Sequence, residues 1–184
     1  LDLGGTVAIH AIGDLANDQV LDLFENLIAE GADPAKLRIE HASVLTERAV
    51  ERMARLRVTA SVQPAFLSSE VGWLDKRLGR RTEMTYSLAR LEAAGVSVLG
   101  GSDCPVEAPN PWWGMASAQE RGGLSQQAAF DLFAARLEVG GPADLLVLPF
   151  DPLEVTPARL KKMKPTAVYR HGELVELNDE LPFT

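Results

Sequence analysis

"TVAIHAIGDLANDQVLDLFENLIAEG", residues 6–31, sets the pattern that the rest of the chain follows. Its first seven residues, Thr6 to Ile12, are a short apolar run with β-branched members and a glycine on either side. That pattern predicts a buried strand. From Leu15 to Glu30, Val20, Leu23, Phe24, Leu27 and Ile28 recur at helical spacing, and Gly31 supplies the stop. The run contains one misfit. His10 is a polar ring in an apolar strand, and such a ring costs free energy unless a partner satisfies it.

The same strand–helix alternation continues along the chain. "KLRIEHA" (36–42) is the next predicted strand and also carries a histidine near its end. Thr46 then caps a helix with Ala49, Val50, Met53 and Leu56 on its apolar face. "VTASVQP" (58–64) is a third strand, closed by Pro64. A helix is predicted from Thr85 to Ala94, with Leu88 and Leu91 inward and Gly95 as its end. "VSVLGGSD" (96–103) is the fourth strand. Asn110 and Pro111 form a cap and first-turn start for a short helix, and "SQQAAFDLFAA" (125–135) is another. Four successive strand–helix units predict an α/β fold with a parallel sheet and right-handed crossovers.

Two stretches break the pattern. "AFLSSEVGWLDKRLGRR" (65–81) has no clean period, and loops of that length are usually functional or mobile. After Arg136, "GGPADLLVLPFDP" and "TAVYRHGELVEL" read as strands joined by turns, which predicts a small β appendage from about residue 137 onward. No internal repeat or low-complexity tract stands out.

Composition bounds the function. The 184 residues are 46% hydrophobic and 24% charged, enough for a sizeable core. No apolar run approaches the roughly 20 residues that span a bilayer. A net charge of −8 argues against nucleic acid, whose phosphates call for a basic patch. The single Cys104 excludes an internal disulfide and points to a reducing compartment, so a cytoplasmic location is expected. The chain starts without Met or signal-peptide features, and strand-like sequence begins at once, so a fragment of a longer protein is expected.

In a parallel α/β sheet, polar groups at the C-terminal strand ends face the ligand crevice. His10, His41, Gln63 and Asp103 all lie at or near the ends of successive strands. Singly, each has a plain reading: a bonded core histidine, a loop polar before Pro64, a turn cap after Gly100 and Gly101. Together, two neutral imidazoles and a carboxylate form a donor set suited to zinc or a similar divalent ion. Neighbouring parallel strands lie about 4.8 Å apart, so histidines on two of them can reach one ion. Glu40 is expected on the opposite face, as a structural partner. His171 reads as a surface turn residue, with Gly172 supplying the positive φ. Cys104 has no activating base in sight and reads as inert. Trp73, Lys76, Arg77, Arg80 and Arg81 fit either a substrate lid or a solvated basic face.

The ordered set "HAIGD", "LRIEHA", "GSDCPV", "LEVGGPADLLVL" and "AVYRHGELV" resembles the amidohydrolase superfamily, in its amidohydrolase-3 (YtcJ-like) branch. The resemblance implies the C-terminal half of a metal-dependent (β/α)8 TIM-type barrel, strands 5–8, over residues 1–136. Residues 137–184 would be part of a small β-sandwich. It further implies that His10, His41 and Asp103 are the metal ligands of strands 5, 6 and 8, with Gln63 a candidate substrate contact. One or two divalent ions are expected in the complete enzyme, zinc foremost. The implied reaction is hydrolysis of a C–N bond in an amide or cyclic amide by metal-activated water, with Asp103 taking the proton and passing it on. The expected partner is a small-molecule substrate, with no nucleic acid and no membrane.

The His-x-His pair of the family's strand 1 and its bridging Lys, Glu or Cys of strand 4 have no counterpart here. The family also carries a longer stretch between the equivalents of Phe133 and Leu137, so residues are expected to be missing there. A half-barrel leaves strand edges unpaired, which makes self-association or pairing with the missing N-terminal half the alternatives to a fragment. The chain alone is expected to be catalytically poor. A truncated remnant serving as a binding or assembly module is the non-enzyme alternative. Against a phosphotriesterase-like hydrolase speaks the sandwich-closing "PADLLVL".

Overall fold

A computed structural model describes residues 5–70, 72–135 and 137–177. The opening stretch folds as its pattern dictates: β1 (Val7–Ala11) turns through Gly13 into α1 (Asp14–Ala29), and Gly31 adopts a φ of 99° just beyond the helix. β2 (Leu37–His41) leads to α2 (Glu47–Leu56), whose Thr46 side chain accepts the Ala49 N–H at 3.0 Å. β3 (Thr59–Val62) runs into α3 (Phe66–Ser69), α4 (Leu74–Leu78) and a 3-10 turn (Gly79–Met84). Each piece is too short to print a period, which is why the sequence shows none there. α5 (Leu88–Ala93) precedes β4 (Val98–Gly100), followed by α6 (Pro111–Glu120) and α7 (Gln126–Asp131). Asn110 and Ser125 cap these last two, accepting from Trp112 and Ala128.

The four strands form one parallel sheet in chain order, β1-β2-β3-β4. Register sorts the side chains into rows. Ile9, Ile39, Ala60 and Val98 share one row, on the face that the helices cover, and Ile39 and Ala60 there are fully buried. Leu21 and Phe24 of α1, Met53 of α2 and Leu91 of α5 complete that core. The next row is His10, Glu40, Ser61 and Leu99, on the opposite face. Leu99 is 44% exposed and His10 is exposed, so this face lies open among the described residues.

The helix predicted from Thr85 starts three residues later. Thr85 pairs with Val44 in an isolated antiparallel bridge, and the Tyr86 N–H donates to the Ser43 carbonyl at 2.7 Å. Those bonds replace the first helical turn, and Tyr86 takes a positive φ of 45°.

Arg52 is the charged residue the helical pattern hides. Its side chain is 7% exposed, and it donates to Glu25 at 3.0 Å, Asp22 at 2.6 Å and Asp18 at 3.3 Å, clamping α2 to α1. The hydrogen bond from Arg52 holds the Glu25 carboxyl below the usual carboxylate range. A depressed carboxyl contributes stability above its ordinary pKa of about 4.3, and that contribution is lost as pH falls through the lowered value. Arg52→Met keeps the aliphatic packing but takes the cation from Asp18 and Asp22 and leaves Glu25 with Arg55 alone. It is expected to cost about 2 kcal/mol at pH 7, part of the buried-pair range because the acids are half in water. The acid-induced loss should also shrink, read as urea midpoints at pH 7 and pH 4; equal midpoints at pH 7 would contradict the clamp.

At the other end of α2, Arg57 closes the helix with a left-handed φ of 56° and an exposed side chain. That conformation costs an L-residue roughly 1–2 kcal/mol and glycine almost nothing. Arg57→Gly is therefore expected to raise stability by up to about 1 kcal/mol after glycine's extra chain entropy is subtracted. Thermal unfolding checks the sign.

Beyond residue 137 the strands arrive as expected, β5 (Leu145–Val147), β6 (Ala167–Arg170) and β7 (Glu173–Leu177), in an antiparallel sheet of that order. A short helix, α8 (Pro157–Leu160), interrupts the run after β5. His171 and Gly172 form the β6–β7 turn with φ of 51° and 80°, so both residues, not Gly172 alone, take the left-handed conformation a two-residue hairpin favours. A second core joins Trp112, Met115 and Ala116 of α6 to Val155, Leu160 and Met163. Phe133 packs against both cores. The boundary residue Arg136 and residues 178–184 lie outside the described residues. Among the described residues no helix is long and apolar enough to cross a membrane.

Candidate metal centre

His10 is the fourth residue of β1 and stands beside Glu40 in the β1–β2 register. Glu40 therefore shares His10's face, contrary to the expectation that it turns away from the site. It is held there by Arg38, whose Nε donates to Glu40 Oε1 at 2.5 Å. By alternation His41 should point to the helix face with Leu37 and Ile39. It does not stay there, because the strand ends on it: His41 and Ala42 both adopt left-handed backbone, with φ of 73° and 44°. The imidazoles of His10 and His41 meet edge to face, with centroids 4.4 Å apart.

The loop carrying His41 is tied down on several sides. Ala42 and Val44 donate their N–H groups to the carbonyls of Ala11 and Ile12 at 3.1 and 2.9 Å. Leu45 N–H donates to Met84 at 2.9 Å, alongside the Tyr86–Ser43 bond. Asn17, fully buried at the start of α1, donates its amide to the carbonyls of Gly13 and Val44 at 2.8 and 3.3 Å. Sequence reading missed this polar tie; its signal is an asparagine among the apolar positions of a helix first turn. Non-glycine residues in left-handed backbone persist only where the surroundings over-determine them, and they concentrate at functional sites.

Gln63 follows β3 and is 4% exposed. Its Oε1 lies 3.0 Å from His41 Nδ1. Asp103 lies three residues beyond β4, exposed, with a left-handed φ of 55° and its carbonyl accepting the Val106 N–H at 2.8 Å. The structure thus joins His10, His41 and Gln63, and leaves Asp103 apart. Among the described residues no group of three or more His, Cys, Asp or Glu side chains stands close enough to hold an ion.

The two imidazoles suit a shared divalent cation in chemistry, and their separation is of the order that such a site needs. An ion roughly 2.0–2.1 Å from one nitrogen of each ring sets the centroids about 5 Å apart in tetrahedral geometry, and the observed 4.4 Å is close to that. His41 Nδ1 is already engaged, so its Nε2 is the nitrogen left for an ion.

The segment after β3 stands over the same strand ends. Phe66, Leu74 and Tyr86 form its own small core, and the Tyr86 hydroxyl donates to Glu70. Burial, then that bond, pushes the Tyr86 hydroxyl up, so it stays a proton donor. Arg81 pairs with Asp14 at 3.5 Å, and the Arg77 guanidinium lies over the exposed Trp73 ring at 5.5 Å. Lys76 and Arg80 are exposed. Cys104 is free and exposed, and His171 is exposed in its hairpin turn.

Comparison with known proteins identifies the family of the chain. The amidohydrolase family model Amidohydro_3 matches residues 2–132. YtcJ of Bacillus subtilis (strain 168), named as an amidohydrolase, is 30% identical over 200 residues, covering 94% of this chain and 37% of its own length. N-substituted formamide deformylase of Arthrobacter pascens is 26% identical over 198 residues, covering 94% of this chain and 36% of its own. The crystal structure of an uncharacterized metal-dependent hydrolase from Pyrococcus furiosus superposes with a TM-score of 0.59 at 36% identity, over 70% of this chain and 26% of that one. The chain spans little more than a third of the length of these two curated relatives. Its family model covers well over half of its residues, with His10, His41, Gln63 and Asp103 all inside the match, and the chain belongs to the amidohydrolase family.

Proposed function

We propose that this chain is the part of a metal-dependent hydrolase of amide-type C–N bonds that supplies strands 5–8 of a (β/α)8 barrel. Residues 137–184 then form a segment of the adjoining β-sandwich. The observation that carries the reading is the pair of imidazoles, His10 and His41, brought together at the C-terminal ends of neighbouring parallel strands. Ligands gather at that end of parallel sheets. The relatives' names supply the reaction class: an N-substituted formamide deformylase, and a metal-dependent hydrolase of similar fold.

In this reading His10 and His41 hold a divalent cation, zinc foremost, through neutral ring nitrogens. Bound there, the ion would lower the pKa of a coordinated water and polarise the substrate carbonyl. Asp103, exposed beyond β4 and apart from the two rings in this chain, would take a proton from the attacking water and hand it to the leaving nitrogen in the completed barrel. The open sheet face with Arg38, Glu40 and Ser61 is the interior of the barrel, to be closed by the strands of the other half. An exposed Leu99 in that row suits such closure.

A hydrolytic site keeps a coordination position open to water, whereas a structural one is closed. Loading the chain with Mn²⁺ and measuring water-proton relaxation separates the two. The expected result is an enhancement over free Mn²⁺ that disappears when His10 and His41 are both replaced. No enhancement, or an equal one in the double variant, would overturn the assignment.

A further inference from the structure

The sequence suggests Gln63 as a substrate contact, but its carboxamide oxygen is taken. It is 4% exposed, His41 is 9% exposed, and Oε1 faces Nδ1 at 3.0 Å. A carboxamide oxygen only accepts, so in this arrangement the proton of the bond sits on His41 Nδ1. We propose that Gln63 is a positioning residue: it fixes His41 as the Nδ1–H tautomer and presents the Nε2 lone pair beside the ring of His10.

The surroundings leave little else to set the ring. The His41 backbone is pinned by the Ala42–Ala11 and Val44–Ile12 bonds and by the Tyr86–Ser43 bond. What remains free is rotation of the imidazole, and His10 closes one side of it at 4.4 Å. Gln63 is itself immobilised. Pro64 behind it is fully buried, and the carbonyls of Gln63 and Pro64 accept the N–H groups of Phe66 and Leu67, both at 3.1 Å. A buried hydrogen bond from one ring nitrogen is the general device by which a histidine's other nitrogen is committed to a ligand. Free imidazole side chains favour the opposite tautomer, with the proton on Nε2, so the carboxamide has something to reverse.

The consequence for an ion rests on the proposed function; the tautomer does not. Long-range ¹⁵N–¹H NMR of the metal-free chain, at a pH where imidazoles are neutral, reads the tautomer directly. The three histidines are assigned through His10→Asn and His171→Asn variants. The expected result is Nδ1–H for His41 in the unaltered chain, reversal toward Nε2–H in Gln63→Leu, and recovery of Nδ1–H in Gln63→Glu, which restores an acceptor. An Nε2–H tautomer in the unaltered chain overturns the proposal, and that measurement needs no variant to fold. So does a tautomer that Gln63→Leu leaves unchanged. Zinc titration of the same proteins forms the second arm, with affinity expected to fall about 10–100-fold in Gln63→Leu and to recover in Gln63→Glu. An unaltered chain that takes up no zinc removes the metal reading while the tautomer still decides the role of Gln63.

Discussion

Replacing His10 by alanine and His41 by asparagine together is expected to lower the chain's zinc affinity by at least about 100-fold. Even the loss of a group that only supports a metal ligand costs 10–100-fold, and here two direct nitrogen donors go. Asp103 is exposed and apart from them, and among the described residues no group of three or more such donors stands together to hold the ion in their place. The choice of asparagine at residue 41 matters. The backbone there has a φ of 73°, a conformation that asparagine tolerates and alanine resists. His10 is exposed, so alanine there removes little packing beyond the edge contact with the His41 ring. The double variant should keep its fold by circular dichroism while a chromophoric chelator strips its zinc. Affinity equal to that of the unaltered chain would show that the two rings touch for another reason.

The second large effect is structural. Phe133→Ala is expected to cost about 3 kcal/mol, the lower end of the usual range for phenylalanine because the ring is half-buried. Phe133 packs against both hydrophobic cores. Its ring fills space left open by two glycines: a Cβ on Gly100 would stand 2.6 Å from it and one on Gly114 2.4 Å. The glycines are therefore part of the same fit. Gly100 is the last residue of β4, and its N–H donates to the Leu132 carbonyl at 2.7 Å, so the strand end that leads to Asp103 is braced by this contact. Urea denaturation checks the loss, and a cost below about 1 kcal/mol, the scale of a surface change, would show that the ring is dispensable. Gly114→Ala should also destabilise, despite alanine's better helix propensity, because the ring is enclosed from the Gly100 side as well.

Much of this architecture is legible in the amino-acid sequence. The strand–helix periods of residues 6–62 are strong because each strand is apolar on the face that helices cover, and each helix buries one stripe. Capping at Thr46 and Asn110 is equally plain, since the side-chain acceptor sits just before each apolar run. Three things are not legible. The direction of His41 depends on a left-handed residue at a strand end, and alternation alone would send it to the wrong face. The ties from Asn17 and from Tyr86 to the loop behind His41 are long-range, and no local period encodes them. Phe133 announces itself in the sequence only as one more apolar residue, because its partners are absences, the side chains that Gly100 and Gly114 lack. At the site, residue types mark the strand ends that matter, but they do not reveal how each is used. Gln63 stands out as a polar group at the right place, and only the distance to His41 Nδ1 shows what its oxygen does.

If His10 and His41 share one divalent ion at the end of the parallel sheet, X-ray absorption at the zinc K-edge of the zinc-loaded chain sees both rings. The expected spectrum shows two imidazole nitrogens at about 2.0–2.1 Å, with the multiple scattering of the rings, and loses both in the doubly substituted chain. A first shell without imidazole, or one unchanged by the substitutions, would contradict the shared site.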